Sequence, residues 1–263
     1  MSKKIIALVL AALMMFALVA CGGNTNPENS DLAYIKDKGT LVVGITDFEP
    51  MDYQKKGSDE WIGFDADMAK KFAESLGVAV EFSLIDWDNK ALELDGKSID
   101  CVWNGMTLTD EVKAAMSCSK AYCNNAQIVI VPADKADQYK TAEDCKELSF
   151  AVESGSAGKA ACEENGFKFT EVKDQATALQ EVAAGTSDAA IIDSLMAAAM
   201  VGEGTGFANL TYTVELTKEE YGVGFRKGSD VTDAFNAFLD KAIADGTAEA
   251  VAETYGVQAA LIK

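Results

Sequence analysis

The sequence predicts an α/β protein built from two units, each a mostly parallel sheet with flanking helices. Its 263 residues are 49% hydrophobic and 25% charged, as expected of a globular chain long enough for one large core or two small ones. Strand-like apolar runs alternate with helix-like stretches, and an approximate repeat divides this alternation into two series. Collagen-like, coiled-coil and disordered folds do not fit this composition.

The first series begins at Leu41–Ile45, a β-type run that ends shortly before a proline. An amphipathic helix is predicted over Asp65–Leu76, because its apolar residues share one face and Gly77 ends it. Ile99–Trp103 is a continuous apolar run of the kind found in buried parallel strands. The other predicted elements are a strand at Val78–Leu84, short helices at Lys90–Leu94 and Asp110–Met116, and a strand at Gln127–Val131.

The second series repeats this alternation. It predicts strands at Leu148–Val152, Lys168–Val172 and Ala189–Ile192, and helices at Ala157–Glu164 and Ala176–Ala184. A final helix is predicted at Thr232–Ala244, with its apolar residues packed in the core.

The repeat relates the stretch from Gly77 to Asn104 to the stretch from Gly166 to Asp193. Asn104 and Asp193 therefore each follow an apolar strand. Ligands of open parallel sheets bind outside the carboxyl ends of the strands. Two units that face each other would bring both side chains to one ligand.

Charge and composition exclude several classes of function. Lys and Arg total 23 against 42 Asp and Glu, a formal net charge of −19, and the chain has no His. Excess negative charge repels nucleic acid. The absence of His removes the usual general base and the commonest transition-metal ligand. We therefore expect no nucleic-acid partner, no metal and no cofactor.

The first 20 residues are predicted to be an export signal, outside the fold. An apolar stretch, Ile5–Ala17, follows two lysines, and Leu18–Cys21 resembles the lipobox of bacterial lipoproteins. That resemblance implies cleavage before Cys21, a lipid on its sulfur, and anchoring to the outer face of the cell membrane, with residues 21–30 as a flexible tether. The alternative, a retained membrane-spanning helix, needs about 20 apolar residues, whereas the run before Cys21 has sixteen.

The five other cysteines are odd in number and lack the spacing of a metal site, so most are expected to be buried thiols. Bridges between Cys118 and Cys123, or between Cys145 and Cys162, remain open alternatives.

Several segments, taken in order between Gly39 and Tyr255, carry a family resemblance: Gly39–Gly44, Pro50–Met51, Gly63–Ala69, Ile99–Asp100, Asn104–Thr109, Gly185–Asp193 and Tyr221–Lys227. The chain resembles the extracellular solute-binding proteins of family 3, the amino-acid-binding lipoproteins of ABC importers with the type II periplasmic-binding-protein fold. The resemblance implies a non-catalytic, monomeric receptor. Such a receptor closes two lobes around a small polar amine-bearing solute, an amino acid above all, and delivers it to a membrane permease.

The resemblance also implies how the chain is divided. The first lobe would comprise residues 31–126 and 222–263, and the second lobe residues 127–221. Two hinge crossings would join them, at Gln127–Val131 and Thr213–Gly222.

Ten residues are implied as ligand contacts: Phe48, Met51, Trp87, Asn104, Gly105, Met106, Thr107, Ser156, Ala157 and Asp193. Phe48 and Trp87 would form aromatic walls, unless they are ordinary core residues. Asp193 matches the family acid that binds a ligand ammonium, because a carboxylate that faces a dry cleft needs a cation.

Two turns are predicted to bind an anion through backbone N–H groups. Asn104–Thr107 would lie before a helix capped by Thr109, and the Thr107 hydroxyl would add a donor. Ser154–Gly158 is the equivalent turn in the second lobe. The alternative in each case is that the turn only caps a helix.

One position departs from the family. The arginine that takes the ligand α-carboxylate is replaced by Val112, and the single arginine, Arg226, belongs to a later strand. Lys113 is a substitute if the helix is rotated. Otherwise the ligand uses helix amides, or it has no α-carboxylate at this position.

Two other functions remain as alternatives. One is a carboxylate enzyme on the same fold, such as a cyclohexadienyl-type dehydratase, in which a buried acid such as Glu49 is the general acid. The other is a receptor sensor domain, but no membrane helix follows the signal.

Overall fold

The computed structural model describes residues 30–263, which form two main sheets with helices packed against them. In chain order the elements are α1 (Asp31–Lys38), β1 (Thr40–Ile45), β2 (Tyr53–Gln54), β3 (Trp61–Ile62), α2 (Phe64–Leu76), β4 (Ala79–Leu84), α3 (Lys90–Asp95), β5 (Cys101–Thr107), α4 (Asp110–Ala115), β6 (Ser117–Cys118), β7 (Cys123–Asn125), β8 (Gln127–Pro132), β9 (Ser149–Glu153), α5 (Ala157–Asn165), β10 (Lys168–Val172), α6 (Gln175–Ala184), β11 (Ala189–Asp193), α7 (Ser194–Met200), β12 (Leu210–Glu215), β13 (Glu219–Phe225), α8 (Val231–Ala244) and α9 (Thr247–Tyr255). The predicted α/β class is confirmed. The predicted export signal and Cys21 lie outside the described residues.

Both main sheets are mixed in their strand pairing, not mostly parallel as predicted, because β13 in the first sheet and β8 in the second run antiparallel to the strands they pair with. The first has the order β4-β1-β5-β13-β6, with β7 also paired to β13. Its β1 is parallel to β4 and β5, whereas β13 runs antiparallel to its neighbours. The second has the order β10-β9-β11-β8-β12, in which β9 is parallel to β10 and β11, and β8 is antiparallel to β11 and β12. Parallel strands thus form one side of each sheet, and antiparallel strands the other.

The chain passes between the two sheets twice. It leaves the first sheet at the end of β7 and enters the second at Gln127, so that Ala126 alone separates the two strands. It returns between Glu215 at the end of β12 and Glu219 at the start of β13. The segment 127–131, expected to be the first crossing, is part of β8, because it pairs with β11 and β12 over its length.

Strand β5 is longer than predicted. It continues to Thr107, where the expectation placed its end at Trp103. Pairing with β13 extends it, since Tyr221 lies opposite Thr107 and Gly222 opposite Met106. Asn104–Thr107 therefore lie in a strand and do not form a turn, although Thr109 does cap α4 by accepting the Val112 N–H.

The core of the first sheet is aromatic. Phe235 of α8 packs edge-on against Trp103, with ring centroids 4.8 Å apart, and both side chains are buried. Leu239, one turn further along α8, is also buried. The prediction that this helix packs in the core is confirmed.

Within the described residues, no helix is long and apolar enough to cross a membrane, and no cluster of acids and cysteines could hold a metal. The five cysteines of this part of the chain are free thiols, so neither disulfide alternative is present. Four of them are buried, as expected, and Cys118 is half-buried.

Candidate ligand-binding site

A cavity of about 270 Å³ lies between the two sheets. It is lined by nine of the ten residues implied as ligand contacts: Phe48, Trp87, Asn104, Gly105, Met106, Thr107, Ser156, Ala157 and Asp193. Met51 does not line it. Its side chain is fully buried in the core, and its carbonyl accepts hydrogen bonds from the N–H groups of Asp65 and Ala66 at the start of α2.

Asp193 ends β11 and lies in the cavity wall, where neighbouring side chains hold its carboxylate. Oδ1 accepts hydrogen bonds from the Asn125 amide, the Gln127 amide (3.0 Å) and the Tyr221 hydroxyl (2.8 Å). Oδ2 accepts one bond, from the Gln175 amide. Burial raises the pKa of Asp193 to about 7, and the nearby Glu219 adds to this shift while the hydrogen bonds oppose it. These four donors are neutral, so no side chain of residues 30–263 forms an ion pair with the carboxylate.

Glu219 connects this network to both crossings. Its Oε1 accepts from the amides of Asn125 and Gln127, each at 2.7 Å, so both amides bridge Glu219 and Asp193. The same oxygen accepts from the Thr107 hydroxyl at 2.8 Å. The Thr107 hydroxyl was expected to donate to a bound anion, but it donates to Glu219 of the protein.

Asn104 and Gly105 also form hydrogen bonds with other residues of the protein. The Asn104 side chain accepts from the N–H and hydroxyl of Thr46 and donates to Asp52 at 2.8 Å. The Gly105 N–H donates to Asp65 at 2.7 Å. The prediction that backbone N–H groups of this segment bind an anion is wrong for Gly105, because its N–H already donates a hydrogen bond to the buried Asp65 carboxylate.

Aromatic rings form two of the cavity walls. Phe48 is buried and meets Tyr221 edge-on at 6.3 Å. Trp87 is also buried and lines the cavity, and the Lys90 ammonium lies 4.9 Å from the centre of its ring. Both positions fit contact with the apolar or planar part of a solute.

The second turn predicted to bind an anion, Ser154–Gly158, lies between β9 and the start of α5, where the sequence predicted it. Ser156 caps α5 by accepting the Lys159 N–H at 3.1 Å, and Gly155 before it has a φ of 67°. Ser156 and Ala157 line the cavity. First-turn N–H groups of a helix have no acceptor inside the helix, so this turn offers donors to a ligand.

The positions discussed as arginine substitutes lie elsewhere. Val112 lines the cavity with an apolar side chain, and Lys113 is exposed and does not line it. Arg226 is buried away from the cavity, where it pairs with Asp31 at 2.9 Å and Asp100 at 3.4 Å. Glu49, the candidate general acid of the enzyme alternative, lines a separate smaller depression and not the main cavity.

Sequence reasoning missed several polar residues of the lining, among them Lys90, Glu153 and Gln175. Glu153 ends β9 as Asp193 ends β11, so the strand-end argument would have found it. Lys90 and Gln175 begin helices and carry no comparable signal.

A comparison with family models identifies the family of the chain. Residues 41–258 match the model of the bacterial extracellular solute-binding proteins, family 3. The chain belongs to this family. The resemblance inferred from the sequence is thereby confirmed, and as a family 3 protein the chain is an extracellular solute-binding protein.

Named relatives of this family 3 protein are amino-acid-binding proteins. It is 30% identical to the arginine-binding extracellular protein ArtP of Bacillus subtilis over 254 residues, which cover 94% of this chain and 95% of the relative. It is 30% identical to the L-cystine-binding protein TcyA of the same organism over 265 residues, covering 97% of each.

Solved structures of amino-acid-binding proteins superpose on this chain over most of its length. A mutant of the arginine-binding protein ArgBP from T. maritima matches with a TM-score of 0.80 and 29% identity, covering 86% of this chain and 98% of the other. The ancestral amino acid-binding protein AncCDT-1, a precursor of cyclohexadienyl dehydratase, matches with a TM-score of 0.78 and 33% identity, covering 86% and 99%. The relatives are named as binding proteins, which supports a non-enzymatic role.

Proposed function

We propose that this protein captures an amino acid in the cavity between its sheets and delivers it to the permease of an ABC importer. The observation that carries the proposal is the Asp193 carboxylate, which is buried in the cavity wall and has only neutral donors. A carboxylate in this position gains most from a cationic ligand group. The arginine- and cystine-binding relatives are consistent with an amino acid as the solute.

The hydrogen bonds at Asp193 suggest where the ammonium binds. A carboxylate offers about four acceptor positions, and Oδ1 already accepts three bonds whereas Oδ2 accepts one. We therefore place the ligand ammonium at Oδ2. The walls formed by Phe48 and Trp87 then cover the rest of the solute.

We propose two lobes that close around the solute, with the division predicted from the sequence (residues 31–126 plus 222–263, and residues 127–221) shifted at one boundary to residue 219, because β13 begins there and pairs with the first sheet. We also propose that the mature protein is a monomer, tethered to the outer face of the cell membrane through a lipid on Cys21 and the segment 21–30. Export by the signal in residues 1–20 precedes that modification.

A thermal-shift panel tests the function. Amino acids, polyamines and small peptides are added to the mature protein with Cys21 removed, and unfolding is followed by fluorescence. Binding stabilises the folded state by RT ln(1 + [L]/Kd), about 4 kcal/mol at a thousandfold excess over Kd. We expect at least one amino acid to raise Tm, and we expect Asp193→Asn to weaken its binding by about 2 kcal/mol or more.

The control is Asp188→Asn, because Asp188 lies on the surface, outside the cavity lining. It should leave the shift unchanged. If no amine-bearing solute raises Tm, the proposal is wrong. If Asp193→Asn folds and binds as tightly as the wild type, Asp193 is not the ammonium site.

A further inference from the structure

Two lysines line the cavity, and they differ in their partners. Lys159 lies 3.5 Å from carboxylate oxygens of both Glu163 and Glu171. Lys90 has no carboxylate oxygen within 4.0 Å among residues 30–263. Lys90 is therefore the lining cation without an ion-pair partner in the described chain.

The Lys90 ammonium is nevertheless held in place. It donates to the Trp87 carbonyl at 3.1 Å and to the Gly155 carbonyl at 2.9 Å. Trp87 precedes α3, beside the first sheet, whereas Gly155 follows β9 of the second sheet, so the second bond crosses the cleft. An ammonium has three protons, and these two bonds leave one for a ligand.

Acids lie near Lys90, but none of the described residues forms an ion pair with it. Burial lowers its pKa, while Glu153, Asp88 and Glu111 oppose that shift from a distance. A partly desolvated cation is stabilised by an anion in direct contact. An amino acid supplies such an anion in its carboxylate.

Donors on the other side of the cleft favour the same location. Gly155, which Lys90 contacts, lies two residues before α5, and Ala157 in the first turn of α5 lines the cavity. The unpaired N–H groups and the dipole of a helix N-terminus attract negative charge.

Glu153 is another buried polar group of this cavity with an unused hydrogen-bonding position. It lines the cavity with 3% of its surface exposed, and its Oε1 accepts no hydrogen bond from the described residues. A free ammonium proton and a free carboxyl oxygen in one cavity match a solute that offers both an acceptor and a donor.

We propose that the Lys90 ammonium, together with the first turn of α5, binds the carboxylate of the solute. This deepens the proposed function and rests on it. It also identifies a cation that compensates for Val112 at the position of the family arginine. Because the bond from Lys90 to Gly155 spans the cleft, carboxylate binding and lobe closure would favour each other.

The test compares amino acids with their primary amides, which lack the carboxylate charge. L-Arginine with L-argininamide, and L-histidine with L-histidinamide, are titrated calorimetrically into the wild type, Lys90→Met, Lys90→Gln and Lys113→Met. Lys113→Met is the control, because Lys113 is exposed and does not line the cavity. The Tm of each unliganded variant verifies folding.

We expect the wild type and Lys113→Met to bind an amino acid at least tenfold more tightly than its amide. In the folded Lys90 variants this ratio should fall to about one, mainly through weaker binding of the acid. If the ratio survives in both Lys90 variants, or if the wild type shows none, Lys90 only balances neighbouring acids and the proposal fails while amino-acid capture stands. If no amino acid binds the wild type in the wider panel, the proposed function fails first.

Discussion

Asp193 and Asn104 each come late in an apolar strand, yet the structure gives them different surroundings. Asp193 lines the cavity, and its Oδ2 retains acceptor capacity. The Asn104 side chain is fully engaged with Thr46 and Asp52. Asn104 is therefore a positioning residue that fixes the wall near Phe48, and sequence alone could not separate these two roles.

Glu153 makes the stability of the unliganded protein depend on pH. Burial raises its pKa well above the usual value, and Asp193 and Asp174 add to this. Because the folded state then holds the Glu153 proton to higher pH than the unfolded state, the contribution to stability is complete below about pH 4.5 and is lost as pH rises through the folded pKa. Stability should therefore fall from pH 5 to pH 8.

Glu153→Gln removes this contribution. We expect the unliganded variant to be more stable than the wild type at pH 8, by about 1 kcal/mol or more, and to lose less Tm between pH 5 and pH 8. Differential scanning calorimetry across this range measures both effects. Glu164→Gln, an exposed change on α5, is the control and should follow the wild type. If Tm changes equally with pH for Glu153→Gln and the wild type, the folded protein does not hold Glu153 in its protonated form.

At the scale of elements, Gly63 determines how α2 joins the segment that supports Phe48. Its φ is 127°, and an added Cβ would lie 2.1 Å from the Met51 carbonyl oxygen, which accepts the Asp65 N–H. Gly77 at the other end of α2 has a φ of 76° with nothing within 4 Å of such a Cβ. An added side chain would therefore meet only backbone strain at Gly77, but both backbone strain and a clash with the Met51 carbonyl at Gly63.

We expect Gly77→Ala to cost about 1–2 kcal/mol, because alanine is strained in the left-handed region. Gly63→Ala should cost at least about 2 kcal/mol more, since the Met51 carbonyl must also move. Urea unfolding followed by circular dichroism gives both values. Equal losses for the two variants would mean that the close approach of Gly63 to Met51 has no energetic consequence.

Elements with a strong local pattern were predictable from the sequence. The helix predicted at Asp65–Leu76 is observed at Phe64–Leu76, because its apolar face and terminal glycine are local signals. The end of β5 was not predictable, since pairing with β13, more than a hundred residues later, extends it to Thr107. Lys90 was missed for the same reason, as its contact with Gly155 depends on how the two sheets face each other.

At the scale of the whole molecule, the site acid is connected to both passages between the sheets. Asn125 and Gln127 flank the first passage and Glu219 follows the second, and all three share the hydrogen bonds around Asp193. A cation bound at Asp193 changes the charge balance of this network. Solute binding and the relative position of the two lobes are therefore expected to be coupled.

The central claim is that the cavity between the sheets holds an amino acid by its ammonium at Asp193. A crystal structure of the protein with the amino acid that gives the largest thermal shift tests it most directly. We predict the ligand nitrogen within about 3.2 Å of an Asp193 carboxylate oxygen, with the solute enclosed between the two sheets. Asp193 turned toward bulk solvent, with the solute bound elsewhere, would contradict the account.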